Sequence, residues 1–186
     1  MTASISPDYG QAPYKPPLHL VCPEGQVQVH TAPYRGSFSV VLSEAIRTAG
    51  LGSRVMIAQF LKGGVSQGPQ RAINLCGRLE WLRPDINICI TKQAKNHSCP
   101  EESSSLMQAV IEIWQVCKER ILCGNLDQLV LDEIGLAISL GYLNENDLIN
   151  TLEQRPQAMD IIITGPSIPS SIIAMADQIT ELRSGH

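Results

Sequence analysis

Long apolar runs are missing from this 186-residue chain. None approaches the ~20 residues that a membrane-spanning helix needs. Clustered Lys and Arg are missing too. Asp and Glu number 18 against 14 Lys and Arg, a net charge of −4. That balance argues against a broad nucleic-acid surface, which needs basic residues grouped together. No Cys-x-x-Cys pair occurs among Cys22, Cys76, Cys89, Cys99, Cys117 and Cys123, so no zinc framework is expected. The "HSC" step, His97 to Cys99, would bind a metal only by chance placement. The thiols read instead as small apolar side chains, buried or half-buried. The opening "MTASISPDYGQAPYKPP" lacks a basic start followed by an apolar stretch. No signal peptide is expected there, and the chain reads as cytoplasmic with reduced thiols.

Apolar residues make up 44% and charged residues 17%, the balance of a soluble globular protein. Five prolines within residues 1–24, at positions 7, 13, 16, 17 and 23, predict an extended arm. Residues 25–186 then form a single domain. Short β-rich runs recur at 27–31, 54–60, 86–91, 128–132, 160–164 and 178–183. Several are almost continuously apolar, as strands covered on both faces must be. Helical spacing lies between them. In 38–49 it places Val40, Val41, Ala45, Ile46 and Ala49 on or near one face. In 104–122 it aligns Met107, Val110, Ile111, Trp114, Val116, Cys117 and Ile121. A further helix should start at Asn144, with Asp147 as its capping partner and Pro156 as its stop. Another should follow Pro169. The alternation predicts an α/β domain with a mostly parallel six-stranded sheet and helices on both faces. Ligands of such sheets bind outside the carboxyl ends of the strands. That directs attention to the loops near 31–37, 61–69, 132–135 and 164–169.

Two strand ends carry candidate chemistry. "QLVLDE" ends in Asp132 and Glu133, a place where an acid can hold Mg²⁺. Asp132 capping the helix "EIGLAISLGY" is the alternative. "DIIITGP" ends in Thr164 and Gly165, offering a hydroxyl and an uncrowded backbone to a ligand, or a plain strand-to-helix turn.

Taken in order, the motifs are more specific. Leu131 to Glu133, Gly141 to Leu143, Leu152 to Pro156, Ile162 to Gly165 and Ala176 to Glu181 follow one another, after "AQFLKGG" at Ala58 to Gly64. Over residues 25–183 this set resembles the P-loop ATP:corrinoid adenosyltransferases. The resemblance implies a P-loop NTPase-like fold, a homodimer, and Mg-ATP and a corrinoid as ligands. That family moves the 5′-deoxyadenosyl group of ATP onto a Co(I) corrinoid. A leaving triphosphate of about four negative charges must then be gripped by Mg²⁺ and oriented donors. Carried onto this chain, the nucleotide candidates are Thr31, Arg35, Gly36, Ser37, Ser39, Lys62, Thr164 and Gly165. Asp132 and Glu133 are the Mg²⁺ candidates.

The chain departs from the family where phosphate chemistry is done. The family loop reads Thr-Gly-x-Gly-Lys-Gly-Lys-Thr-Thr. Here Thr31-Ala32-Pro33-Tyr34-Arg35-Gly36-Ser37-Phe38-Ser39 stands in its place. Ala32 and Tyr34 replace glycines, and their Cβ atoms disfavour positive φ. Pro33 has no N–H for a phosphate. Ser37 replaces the lysine that reaches the terminal phosphates, and Phe38 a threonine whose hydroxyl would sit on Mg²⁺. Arg35 keeps a positive charge, with a fork suited to phosphate. The family's aromatics after the third strand have no counterpart in "ITKQAKNHSCPEESS". Pro166 stands where an arginine is common, and the chain ends at His186, before the family's usual C-terminal stretch. Three readings follow. One is a non-catalytic relative that binds a protein partner, or a nucleotide without turnover. Another is an active transferase with an unusual loop. The third is a different small-molecule enzyme in the same cleft.

Overall fold

Five buried positions in a row, Val55–Gln59, make one of the inner strands of the sheet. In a computed structural model, which describes residues 23–36, 38–64, 68–91 and 100–183, seven strands form one sheet. They are β1 (Val27–Thr31), β2 (Val55–Gln59), β3 (Ile73–Leu75), β4 (Leu79–Leu82), β5 (Gln128–Asp132), β6 (Asp160–Thr164) and β7 (Gln178–Glu181), in the order β3-β4-β2-β5-β6-β1-β7. Every pairing is parallel except β3 with β4. The helices are α1 (Ser39–Gly50), α2 (Pro100–Cys123), α3 (Ile134–Ser139), α4 (Glu145–Glu153) and α5 (Ser170–Ala174).

Strand alternation divides the core in two. Val55, Ile57, Val130 and Ile162 pack with Val41, Ala45 and Ala49 of α1. Met56, Ala58, Leu129, Leu131, Ile161 and Ile163 face the other way, onto α2 to α5. Both faces are therefore covered, which is why these strands carry almost no polar residues before their carboxyl ends. Each fully buried Leu or Ile contributes about 1.5–3 kcal/mol of transfer free energy.

Several expectations are corrected. The sheet has seven strands, not six. Residues 86–91 are not one of them. They run outside the sheet, joined to the loop after β2 by Ile90 N–H donating to the Leu61 carbonyl and Gly64 N–H to that of Ile86. The strands actually present in this region, β3 and β4, lie earlier. Within α1, Val40 is 72% exposed, Ile46 is exposed too, and of that stripe only Val41, Ala45 and Ala49 are buried. Met107 of α2 is also exposed. Asn144 does cap α4, accepting from the Asn146 and Asp147 backbone N–H groups. The Asp147 carboxylate turns instead to Trp114 and Lys118. Of the described cysteines, Cys76, Cys89 and Cys123 are exposed and only Cys117 is buried. Residues 1–22 of the Pro-rich arm, Ser37 and the His97–Cys99 step lie outside the described residues.

Candidate functional site

Parallel register brings three strand ends into one row. Gln59 of β2 pairs with Asp132 of β5, and Asp132 with Thr164 of β6. All three are buried. The Thr164 hydroxyl donates to Asp132 Oδ1 at 2.6 Å, and Gln59 Nε2 donates to Oδ2 at 2.7 Å. Lys62, from the loop after β2, adds an ion pair to Oδ2 at 3.0 Å. Both oxygens of Asp132 are thus engaged, and Asp132 does not cap a helix. Gln59 is itself held from behind. Its Oε1 accepts from Trp81 Nε1 at 3.0 Å and Arg83 Nε at 2.8 Å. The Arg83 guanidinium also lies 5.6 Å from the Trp81 ring centroid, within cation–π range.

Glu133 occupies the position before α3 with φ of 63°, left-handed, and makes no side-chain cap there. Its carboxylate, 2% exposed, is bound by Arg35 in fork geometry. Arg35 Nε donates to Oε1 at 2.8 Å, Nη2 to Oε2 at 2.5 Å, and Nη1 to the Ile90 carbonyl at 2.7 Å. The hydrogen bonds to Glu133 raise the guanidinium's affinity for its proton further. Gly165 makes this approach possible. It has φ of +126°, and a Cβ there would come within 2.9 Å of Glu133 Cα.

The loop after β1 is tied into this arrangement through Arg35. Phe38, at the position before α1, is 4% exposed and packs in the α1-side core with Ala32 and Val41. Tyr34 points outward, at 49% exposure. Gly36 keeps a positive φ of 82° with open space around it. Ser39 is exposed at the start of α1. Thr31, Ala32 and Pro33 border a groove of about 450 Å³ with Ser167, Glu181 and Arg183; neither Asp132 nor Glu133 lines it.

Of the residues singled out in the sequence, Arg35, Lys62, Asp132, Glu133, Thr164 and Gly165 come together. Thr31, Gly36 and Ser39 do not join their hydrogen-bond network among the described contacts. Trp81 and Arg83 belong to the network and were missed, and Gln59, though inside the Ala58–Gly64 motif, was not among the candidate site residues. The available signal was a polar Gln59 closing an otherwise apolar strand.

The Mg²⁺–triphosphate implied by the sequence resemblance does not fit these side chains as they stand. Arg35 and Lys62 already neutralise Glu133 and Asp132, two cations against two carboxylates. Neither of these two cations is left over for a polyanion, and no carboxylate oxygen of either acid is left without a protein partner.

Comparison with known proteins gives a consistent result. Residues 23–186 match the family model of the ATP:corrinoid adenosyltransferases BtuR/CobO/CobP. The corrinoid adenosyltransferase of Escherichia coli is 26% identical over 159 residues, which cover 86% of this chain and 76% of that protein. Corrinoid adenosyltransferase CobA of Salmonella typhimurium is 28% identical with the same coverage. An uncharacterized Nostoc protein, all2391, is 28% identical over 173 residues; these are 87% of this chain but 44% of the Nostoc protein.

Proposed function

We propose, from the premise that this chain belongs to the ATP:corrinoid adenosyltransferase family, that it is a non-catalytic member, serving as a binding or interaction protein on the family's fold. The observation that carries this is the Arg35–Glu133 fork. A charge that could have faced a phosphate is turned inward onto the acid that could have faced a metal. Loss of the loop lysine supports the same reading. One charge-assisted contact is worth about 1.5–3 kcal/mol, or roughly ten- to a hundredfold in affinity. Here the lysine, two glycines and a threonine are replaced together.

Retained ATP:corrinoid adenosyl transfer is the second reading, favoured by the convergence of Lys62, Asp132 and Thr164 on one point. On that reading the candidate nucleotide residues keep their roles, with Mg-ATP and corrinoid as ligands. A homodimer and a cytoplasmic setting are proposed for either reading. Calorimetric titration with Mg-ATP, followed by an anaerobic adenosylation assay with a reduced corrinoid, separates them. No heat at millimolar ATP and no adenosylated product are expected. Micromolar binding with product formation would overturn the non-catalytic reading.

A further inference from the structure

Glu133 is a buried carboxylate placed at some conformational cost. A non-glycine residue in the left-handed region is uncommon and persists where its surroundings enforce it. Here the side chain gives up the capping role open to it before α3. It reaches instead to Arg35, 98 residues away in sequence. Arg35 satisfies both carboxylate oxygens and uses a third donor on the Ile90 carbonyl. One guanidinium therefore joins the loop after β1, the segment near Ile90 and the β5–α3 junction. Beside it, Lys62 pairs with Asp132 through Oδ2, while Thr164 occupies Oδ1.

We infer that Arg35 is a tethered cation: it takes the place of a free divalent ion on Glu133 and closes the strand-end site with the chain's own charge. This rests on the non-catalytic reading and adds what holds the site shut. Uncovering a carboxylate buried to this degree leaves a charge with no partner, which strongly favours recruiting a cation. Glu133 would supply the ligand oxygens, while Asp132 stays paired with Lys62. A hard cation such as Mn²⁺ or Mg²⁺ suits one or two carboxylates with waters completing its shell.

The test is Mn²⁺ binding by the full-length chain without nucleotide, read by electron paramagnetic resonance. Wild type, Arg35→Ala, Arg35→Met and Arg35→Ala with Glu133→Gln are compared. Arg35→Met keeps side-chain bulk should the truncation fail to fold, and a cooperative melt identifies the folded variants. Removing the charge should tighten Mn²⁺ binding at least ~tenfold, and Glu133→Gln should abolish the gain. Equal binding by wild type and the Arg35 variants would overturn the inference, as would folded variants that gain nothing. The two failures are distinguishable. Adenosyl transfer by wild type defeats the non-catalytic reading, whereas the nucleotide-free Mn²⁺ comparison tests only the tethered cation.

Discussion

Arg35 and Glu133 meet through two parallel hydrogen bonds of 2.8 and 2.5 Å, linking the loop after β1 to the end of β5. Arg35 remains 30% exposed while Glu133 is 2% exposed, so the two halves of the pair are not equivalent. Arg35→Ala strands a buried charge, whereas Glu133→Gln leaves a cation that can turn toward water. Arg35→Ala should therefore be the more destabilising, by about 2–3 kcal/mol, less than a fully buried pair because solvent reaches the guanidinium. A double-mutant cycle in urea should give a coupling energy of roughly 1–3 kcal/mol. A coupling near zero would make the fork a surface contact of no consequence.

Gly165 sets the distance at which this pair can form. Alanine there suffers twice: φ of +126° disfavours any side chain, and its Cβ would lie 2.9 Å from Glu133 Cα. The contact is with backbone, which has little room to yield. Gly165→Ala should cost at least about 2 kcal/mol and lower the melting temperature. An unchanged melt would show that β6 and the β5–α3 junction can separate freely.

Gln59 is predicted to matter more than a neutral side chain ordinarily does. Its amide donates to Asp132 and accepts from Trp81 and Arg83, with the residue 1% exposed. Gln59→Leu keeps approximate bulk and leaves those polar groups to find new partners. A loss of about 2–3 kcal/mol in urea unfolding is expected. A shift in Trp81 fluorescence should accompany it. Stability within about 0.5 kcal/mol of wild type would count against the network.

The sequence makes the central sheet legible because its strands are apolar on both faces. Val55–Gln59 and Asp160–Thr164 can hardly be read otherwise. The edge is different. Ile86, Ile88 and Ile90 alternate as a strand would, yet only Ile90 is fully buried. Periodicity reports which side chains go inward, and an extended segment crossing the strand ends has the same period as a strand. β4 mixes Glu80 and Trp81 into four residues, so no apolar run marks it. At the site, the identities of Arg35, Asp132 and Glu133 were readable, but their pairing was not. Which cation answers which acid depends on the left-handed turn at Glu133, permitted by a glycine 32 positions later.

Asp147 gives a pH dependence whose direction follows from its partners. Burial pushes its carboxyl pKa up, but the Trp114 indole at 2.6 Å and the Lys118 ammonium at 3.1 Å more than offset this, and it lies below the ordinary range. A carboxyl with a lower pKa in the folded than in the unfolded chain binds fewer protons when folded. Its contribution to stability is therefore complete above the unfolded value, about pH 4, and is lost as pH falls through the folded value. Asp147→Asn should remove that part of the acid sensitivity. The stability gap between wild type and variant, measured by urea unfolding, should be constant from pH 8 to about pH 5 and narrow below about pH 4. Because Lys118 can release its ammonium to solvent while the indole cannot, most of the neutral-pH loss should track Trp114, read as a change in its fluorescence. A gap that stays constant down to pH 3 would assign the acid response of this face to other carboxylates.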